Sequence, residues 1–413
     1  MNTNIELTDE QQELIKSAVH WYKHESELIF QYSAPAGAGK STVMHCIIDK
    51  LGLRADQVAP MAYVGSAAIV MRLNGFYNAS TIHSWLYKLE IKKTKNNVLD
   101  KEIVEKKFVF SPLDTKQFKL ICIDEASTVP LSMRKEMESN GIKILACGDL
   151  NQLPPVVDKP GFLYSGKVFR LTKIMRQAKY SAIVEISNML IKGIRPQVGN
   201  YGDVTVIDKS TLNDEMIKSY KNIICGTNKS RDRFNNYIRE NIIGVDSPLP
   251  VVGEKVICRQ NDWNIDVDGI NLANGLAGTV MNYPSITGYA QKSFKMDFVP
   301  DLFPNIMFEK LNCDFRYFIS DYQTRKRMKS MLGNFSRLQK FEFGYAITTH
   351  ISQGSQYFTG IYVEEHLHKD IQRNLNYTGI TRFRNSCIYV LPVQKLYMPI
   401  LKSVVSIDGK SVI

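Results

Sequence analysis

Apolar residues recur along the N-terminal part of the chain with two spacings that alternate. From Gln11 to Trp21 they recur every three or four positions, which is typical of a helix, and Ser41 to Leu51 has the same spacing. Short apolar runs typical of strands lie at Leu28 to Ser33, Gln57 to Ala62, Leu120 to Ile123 and Lys143 to Cys147. Strands that alternate with helices predict a parallel sheet, whose functional site lies at the carboxyl ends of the strands.

A second α/β alternation follows, with strands expected at Ile223 to Gly226 and near Ile361 to Glu364. Two segments interrupt the alternation. Lys88 to Gln117 is rich in Lys, Glu and β-branched residues, and Lys95-Asn96-Asn97 predicts the turn of a hairpin, with a solvated excursion as the alternative. Val251 to Lys340 combines short strand patterns with Gly, Asn and Pro, which predicts a small β insertion. The fold class is therefore α/β, with two lobes that each carry an inserted module.

A glycine-rich segment joins the first predicted strand to the following helix. Its sequence from Ala34 to Ser41 is APAGAGKS, a phosphate-binding loop in which Ala34 stands where the strict pattern has glycine. The small residues let backbone N–H groups approach phosphates, and the helix N-terminus adds positive potential. Lys40 is expected to reach the terminal phosphates, and the Ser41 hydroxyl to help hold magnesium. An alanine at position 34 fits if its φ is negative, whereas a positive φ would strain the loop.

Two adjacent carboxylates, Asp124 and Glu125, follow the apolar run Leu120 to Ile123. At the end of a strand, Asp124 can hold the metal ion and Glu125 can orient and deprotonate a water. Either signal alone has an ordinary structural explanation, a tight strand-to-helix turn or a surface acid pair. In this order along one chain, the two together predict hydrolysis of a nucleoside triphosphate.

Charge suggests the kind of partner. The 413 residues carry a formal net charge of +11, which favours a polyanion, because Lys and Arg contacts release counterions from phosphate backbones. The alternative is that the excess positive charge is spread evenly over the surface and serves solubility.

Cysteine usage and hydropathy suggest a compartment. The seven cysteines form no paired short spacings, which argues against a disulfide framework or a zinc ribbon and favours core thiols in a reducing compartment. The N-terminus does not predict a signal peptide, and no apolar run is long enough to span a bilayer. We therefore expect a cytoplasmic protein without a membrane partner.

Further segments accompany the phosphate loop in a fixed order. They are LTDEQ from Leu7, STIHS from Ser80, GDLNQLPP from Gly148, LTKIMRQ from Leu171, NGLAGTV from Asn274, TTHISQGS from Thr348 and YTGITR from Tyr377. The set resembles the superfamily 1 helicases, specifically the RecD-like branch that includes the phage Dda helicase, over nearly the whole chain. Two positions depart from the branch's pattern: relatives have a Thr-Gly-Lys-Ala-Ala stretch where this chain has Val64 to Ala68, and a Lys where it has Ile351.

The resemblance implies two RecA-like parallel-sheet lobes with ATP bound between them. Residues 1–87 and 117–178 would form the first lobe, with the ATP site, and residues 88–116 a β-hairpin insertion that splits the duplex. Residues 179–250 and 341–413 would form the second lobe, and residues 251–340 a small SH3-like β insertion. Within that insertion, Arg325-Lys326-Arg327 and Lys329 would either lie along the path of the DNA strand or form a solvated helix face.

The resemblance also implies roles for individual residues. Those expected to bind ATP are Gln11, at the adenine edge, Ala36, Gly37, Ala38, Gly39, Lys40, Ser41, Thr42 and Asp124. Magnesium would be held by Ser41 and Asp124. The residues expected to act in hydrolysis are Lys40, Glu125 as base, Gln152 as sensor of the terminal phosphate, and Arg176 and Arg382 as arginine fingers. The residues expected to contact DNA are Thr81, His83, Thr349, His350 and Gln353.

The expected activity is ATP-dependent translocation on single-stranded DNA, 5′ to 3′ as the resemblance implies, with separation of duplex DNA at forks. Single-stranded-DNA-binding or replication proteins are the expected protein partners of a monomeric enzyme. Its compact length is similar to phage-encoded members, for which the compartment would be the host cytoplasm. One alternative is a DNA-stimulated translocase that displaces bound proteins, and another is a non-enzymatic nucleic-acid binding or loader protein. RNA is an alternative substrate, because contacts to the phosphate backbone need not distinguish ribose from deoxyribose.

Overall fold

The computed structural model describes residues 7–96, 101–156, 158–173, 181–282, 285–288, 293–332 and 338–392. The elements of the first lobe are, in chain order, α1 (Asp9–His24), β1 (Ile29–Ser33), α2 (Lys40–Leu51), β2 (Val58–Ala62), α3 (Gly65–Leu73), β3 (Ser80–Thr81), α4 (Ile82–Leu86), β4 (Tyr87–Asn96), β5 (Lys101–Phe110), β6 (Leu120–Asp124), α5 (Leu131–Glu138), β7 (Lys143–Gly148) and β8 (Val168–Arg170). The predicted helices and strands of this lobe lie at these positions, with ends that differ by about one residue, except that α1 begins two residues before and ends three residues after the predicted range.

Six strands of the first lobe form a parallel sheet in the order β3-β2-β6-β7-β1-β8. Side chains of β6 alternate between its two faces: Leu120 and Cys122 pack with α1 and α2, whereas Ile121 and Ile123 pack with α4 and α5. Because the strands are parallel, the ends of β1, β6 and β7 meet at one edge, where Ser33 pairs with Gly148. The segments that follow these strands therefore converge.

The second lobe and its insertion contain, in chain order, α6 (Ala182–Ile191), β9 (Gly199–Asn200), β10 (Val204–Asp208), α7 (Asp214–Tyr220), β11 (Ile223–Cys225), α8 (Asn228–Tyr237), β12 (Lys255–Cys258), β13 (Asp262–Val267), β14 (Ile270–Leu272), β15 (Ala277–Val280), β16 (Ser285–Gly288), β17 (Ser293–Pro300), β18 (Phe308–Asp314), α9 (Arg316–Ile319), α10 (Tyr322–Leu332), β19 (Phe341–Phe343), β20 (Ala346–Thr348), β21 (Tyr357–Val363), α11 (Lys369–Ile380) and β22 (Phe383–Leu391). The sheet order β20-β11-β21-β22-β10-β9 is parallel except for the pairing of β9 with β10.

The insertion of the second lobe is an antiparallel sheet with the order β16-β17-β15-β12-β19, and β18 pairs with β17. Its core is aromatic and includes Phe294, Phe298 and Phe341. Because β19 pairs with β12, the sheet of the insertion continues past residue 340 to Phe343. Hairpin β13–β14 lies beside the sheet and reaches the first lobe, where the Arg72 guanidinium donates to the Gly269 carbonyl at 2.8 Å.

The hairpin of the first lobe pairs β4 with β5 from Tyr87↔Phe110 to Asn96↔Lys101. The turn predicted at Lys95-Asn96-Asn97 is wrong for its first two residues, because Lys95 and Asn96 are paired strand residues. Residues 97–100, between the two strands, lie outside the described part of the chain.

Arg325 matches neither of the two predicted alternatives. It is buried, donates to both carboxylate oxygens of Asp232 at 2.9 Å, and its Nε lies 3.3 Å from Glu342 Oε1. The Arg325 guanidinium is buried between two carboxylates and joins α10 to α8 and β19. It therefore faces neither the path of a DNA strand nor solvent. Sequence spacing could not predict this, because Asp232 lies 93 residues away.

The described helices include none long and apolar enough to cross a membrane. The seven cysteines are free thiols, six of them buried and Cys46 partly exposed. Within the described ranges, no group of three or more His, Cys, Asp and Glu side chains could hold a metal ion.

Gly278 is expected to be essential for the packing of the insertion. A Cβ at this position would lie 2.2 Å from the Val299 carbonyl oxygen and 2.6 Å from Phe298 Cε2, so the G278A substitution forces β15 away from β17. We expect a loss of about 1–3 kcal/mol of folding free energy, as for other overpacked cores. The measurement is the midpoint of thermal unfolding, with G199A as control, because a Cβ at Gly199 meets only Tyr201 at 3.8 Å. Equal midpoints for the two variants would contradict the expectation.

Candidate active site

The glycine-rich loop lies at the carboxyl edge of the first lobe's sheet, between β1 and α2. The Ala34 N–H donates to the Gly148 carbonyl at 2.9 Å, which ties the start of the loop to β7. Gly37 and Gly39 have φ values of 79° and 77°, a region that favours glycine. Ala34 is fully buried and its φ is not positive, so alanine is accommodated there without strain.

Lys40 is the first residue of α2, and its side chain folds back over the loop. Its Nζ donates to the Ala34 carbonyl at 3.2 Å, and the Tyr32 hydroxyl donates to its carbonyl at 3.0 Å. Burial lowers the pKa of Lys40, but the carboxylates of Glu125, Asp149 and Asp124 outweigh burial, and the pKa lies above its ordinary value. Lys40 is therefore a cation at neutral pH, facing three acids.

The acid pair stands at the end of β6. Asp124 Oδ1 accepts from the Glu125 N–H at 2.8 Å and from the Cys147 thiol at 3.3 Å. Burial and the neighbouring Glu125 raise the pKa of Asp124, while Lys40 and the Glu125 N–H oppose the rise. Glu125 has a φ of 51°, and such left-handed conformations of non-glycine residues cluster at functional sites. Its carboxylate lies beside Arg382 of the second lobe.

Three side chains from the two lobes meet beside the loop. Arg382 follows α11, and its Nη1 atom lies 3.9 Å from Glu125 Oε1. With the Gln152 amide in the orientation that satisfies both neighbours, its nitrogen donates to Glu125 Oε2 at 3.1 Å and its oxygen accepts from Arg382 at 3.0 Å. Arg382 and Gln152 are buried. Glu125, Gln152 and Arg382 therefore form one polar network that spans the lobe boundary.

Helix α11 contacts the segment after β7 through further hydrogen bonds. The Tyr377 hydroxyl donates to Asp149 Oδ2 at 2.5 Å, and the Leu153 N–H donates to the Thr378 hydroxyl at 3.0 Å. Asn374 Nδ2 donates to the Asn151 carbonyl at 3.0 Å. Asp149 and Tyr377 lie in segments that the sequence pattern marked, but nothing in the pattern pointed to either residue individually.

Two adjoining cavities lie along the loop between the lobes. One, of about 270 Å³, is lined by the loop, Asp124, Glu125, Gln152 and Arg382. The other, of about 390 Å³, is lined by Pro35 to Gly37, α6 and the end of α11. The predicted residues Ala36, Gly37, Gly39, Lys40, Ser41, Thr42 and Asp124 line the smaller cavity. Ala38 lies in the same loop but is buried beneath it.

The smaller cavity fits a magnesium ion that enters with a nucleotide. It brings together the hydroxyl of Ser41 and the carboxylate of Asp124, and such hard oxygen ligands suit Mg²⁺. One or two protein ligands are enough, because magnesium keeps several waters and binds phosphate oxygens.

Gln11 is placed beneath the loop rather than in either cavity. Its Nε2 donates to the Ala38 carbonyl at 3.0 Å and its Oε1 accepts from the Thr8 N–H at 2.9 Å. It thus supports the loop and caps α1, and the expected adenine contact stays a prediction. Arg176 lies outside the described residues. Thr172, four residues earlier, is held by Glu10, whose carboxylate accepts from the Thr172 hydroxyl at 2.6 Å.

The five residues expected to contact DNA differ in exposure. Thr81 is buried and caps α4 by accepting from the Ser84 N–H at 3.3 Å. Thr349 donates to the Cys225 carbonyl at 3.2 Å, and Gln353 donates to the Leu153 carbonyl of the first lobe at 3.1 Å. His83 is exposed and its ring stacks on Tyr87, whereas His350 is half-buried, and burial lowers its pKa. The histidine side chains are thus the more accessible of the five.

The segment Val64 to Ala68, where the chain departs from its relatives, packs closely against the second lobe. A Cβ on Gly65 would lie 2.8 Å from Ala273 Cβ, and a Cβ on Gly354 would lie 2.7 Å from Ala67 Cβ. Ser66 Oγ donates to the Gln353 carbonyl at 3.4 Å. The small side chains at these positions allow the start of α3 to lie directly against the opposite lobe.

Comparisons with known proteins agree with this arrangement. An AAA domain family matches residues 6–211. The ATP-dependent RecD2 DNA helicase of Deinococcus radiodurans is 23% identical over 361 residues, which are 84% of this chain and 45% of that protein. The ATP-dependent DNA helicase RRM3 of Saccharomyces cerevisiae is 26% identical over 208 residues, which are 44% of this chain and 26% of that protein. The chain thus spans less than half of the length of either relative.

Solved structures have the same fold over nearly the whole chain. A Pif1 helicase from a study of DNA unwinding at forked double-stranded DNA has a TM-score of 0.56 at 16% identity, covering 93% of this chain and 92% of that one. Bacteroides Pif1 bound to single-stranded DNA has a TM-score of 0.54 at 17% identity, covering 94% and 92%. At such low identity these likenesses show the fold, which is the α/β fold of two RecA-like lobes.

Proposed function

We propose that the chain is a superfamily 1 helicase of the RecD-like branch, an ATP-dependent DNA helicase that translocates on single-stranded DNA 5′ to 3′ and separates duplex DNA; its similarity to the ATP-dependent RecD2 DNA helicase over 84% of its length supports the proposal. The observation that carries the proposal is the network of Glu125, Gln152 and Arg382 across the lobe boundary. A nucleotide site completed by a residue of the opposite lobe couples hydrolysis to lobe closure, which is what a motor requires.

In the proposed mechanism, the loop and Lys40 bind the phosphates, and Ser41 and Asp124 hold the magnesium ion. When bound, the metal neutralises charge that develops on the phosphate oxygens. Glu125 orients a water and accepts its proton, and Gln152 lies between this base and Arg382, where it can sense the terminal phosphate. Arg382 adds positive charge to the transition state when the lobes meet, a role assigned equally to Arg176.

The proposed substrate is single-stranded DNA and fork DNA. The net charge of +11 supports a polyanionic partner. Of the structural neighbours, one Pif1 helicase comes from a study of unwinding at forked double-stranded DNA, and Bacteroides Pif1 is bound to single-stranded DNA. His83 and His350 are proposed to contact the DNA backbone from the positions they have in this structure. Thr81, Thr349 and Gln353 are proposed to contact it only after the hydrogen bonds that they make here rearrange.

The deciding experiment is unwinding of duplexes that carry either a 5′ or a 3′ single-stranded tail, with ATP and magnesium. We expect the protein to open only the 5′-tailed duplex, and Lys40→Ala to open neither. Opening of the 3′-tailed duplex alone would reverse the proposed direction. An RNA-tailed duplex opened as readily as the DNA one would widen the substrate class.

Two further outcomes identify the alternatives. Strong DNA-stimulated ATP hydrolysis and displacement of streptavidin from a biotinylated strand, without duplex opening, would indicate a translocase that removes bound proteins. DNA binding without any ATP hydrolysis would indicate a binding or loader protein and would overturn the enzymatic proposal. Monomeric action and partnership with single-stranded-DNA-binding or replication proteins remain predictions.

A further inference from the structure

The contact between Asp149 and Tyr377 joins the two lobes beside the phosphate-binding loop, since Asp149 faces Lys40 and Tyr377 lines the larger cavity with Pro35 to Gly37. Both residues are almost fully buried, at 1% and 2% exposure, and their side-chain oxygens are 2.5 Å apart. Asp149 also accepts from the Asn151 N–H at 3.0 Å, within its own lobe. The Tyr377 hydroxyl is therefore the group through which the second lobe binds this buried carboxylate.

This bond is stronger than its neighbours. The bonds that Leu153 and Asn151 make with Thr378 and Asn374 join neutral groups. A hydroxyl that donates to a carboxylate forms a shorter bond, roughly twice as strong as one between neutral groups. Of these three cross-lobe bonds, the Asp149–Tyr377 bond therefore contributes most to the placement of α11.

The placement of α11 decides where Arg382 lies. The Arg382 side chain is held by its own lobe: Nε donates to the Thr378 carbonyl at 3.2 Å and Nη1 to the Ser355 carbonyl at 3.4 Å. Its guanidinium therefore moves with α11, and its approach to Glu125 and Gln152 depends on what holds α11 against the first lobe. Tyr377 and Thr378 are adjacent, so the Asp149 bond acts directly on the turn that carries Arg382.

We propose that Tyr377 is a positioning residue, whose hydrogen bond to Asp149 seats α11 on the first lobe and thereby places Arg382 against Glu125 and Gln152. The inference rests on the proposed function, since it concerns ATP hydrolysis at the same site. Tyr377 lines the larger cavity beside Pro35 to Gly37, but it does not line the smaller cavity of phosphate-loop and carboxylate residues. Phenylalanine keeps the ring that lines the larger cavity and removes only the hydroxyl that binds Asp149. Loss of its hydroxyl should therefore slow hydrolysis and leave the affinity for the phosphates unchanged.

The test compares Tyr377→Phe with Tyr389→Phe in DNA-stimulated ATP hydrolysis. Tyr389 is a matched control, because its hydroxyl also donates to a buried carboxylate, Glu364 at 2.9 Å, entirely within the second lobe. We expect Y377F to lower kcat by about tenfold to a hundredfold, with KM for ATP changed by less than about threefold. Y389F should keep kcat within about twofold, although both variants lose thermal stability.

A double-mutant cycle shows whether Tyr377 acts through Arg382. Once Arg382 is replaced by alanine, adding Y377F should cause no further loss of kcat, because there is no guanidinium left to place. If Y377F fails to fold, Asp149→Asn takes its place, because it keeps an oxygen that accepts from Tyr377 and removes the charge. Since Asp149 also faces Lys40, a loss of kcat in Asp149→Asn supports the inference only if it disappears in the Arg382→Ala background.

Three results would overturn the inference while leaving the proposed function intact: equal kcat for Y377F and Y389F, a rise in KM without a fall in kcat, or additive losses in the double mutant. Absence of DNA-stimulated hydrolysis in the wild-type protein would overturn the proposed function and this inference together.

Discussion

Arg382→Ala is expected to lower the rate of DNA-stimulated ATP hydrolysis by roughly 10³- to 10⁵-fold, the range found for arginine fingers. The reason lies in the geometry, since Arg382 reaches Gln152 at 3.0 Å and Glu125 at 3.9 Å from the opposite lobe. Its charge contributes to the transition state more than to the bound nucleotide, so binding of a fluorescent ADP analogue should change little. Steady-state hydrolysis and nucleotide titration measure the two effects separately.

A lysine at the same position distinguishes charge from shape. Arg382→Lys retains the cation but loses the planar fork that reaches two partners, so we expect a large part of the loss to remain. Arg233 in α8 is the matched control, because it is an exposed arginine of the same lobe. R382A turnover above about a tenth of the wild-type rate would refute the role of an arginine finger.

Lys40→Ala is expected to reduce ATP hydrolysis by about a thousandfold or more and to abolish duplex opening. Lys40 is the cation that faces Asp124, Glu125 and Asp149, and these acids keep its pKa above the ordinary value. Its removal takes away charge that would stabilise the terminal phosphates and leaves three acids whose mutual repulsion opposes an incoming anion. Nucleotide binding should therefore weaken together with turnover, unlike in R382A.

The control for Lys40→Ala is Lys50→Ala, an exposed lysine near the end of the same helix. It removes one positive charge from α2 without touching the loop, so any general effect of charge on DNA binding appears in both variants. Hydrolysis by K40A at a rate close to that of K50A would show that the loop does not serve a catalytic site.

The strands, the loop and the acid pair could be predicted because each is a local signal. Apolar runs and glycine spacing reflect backbone geometry within a few residues, so β1, α2 and β6 lie where the pattern placed them. The hairpin turn was predicted less well, because a charged strand such as Lys101–Phe110 has weak hydrophobic periodicity.

Local sequence signals could not predict the direction in which a side chain points. Gln11 turns beneath the loop to the Ala38 carbonyl, and Gln353 turns to the Leu153 carbonyl, 200 residues away. Sequence spacing assigns a polar residue to a segment, but hydrogen-bond partners from other segments decide which way it points. The predicted roles of Gln11 and Gln353 consequently remain proposals.

Residue chemistry along the chain was enough to predict a nucleoside triphosphatase with two α/β lobes, because phosphate binding depends on contiguous backbone and side-chain groups of one loop. Only the tertiary structure brings Asp149 to Tyr377, which are 228 residues apart, and Arg382 to Glu125. Such pairs leave no periodic trace in either segment, since each partner is selected by the surface of the opposite lobe. The proposed coupling of hydrolysis to lobe closure therefore depends on the assembled fold.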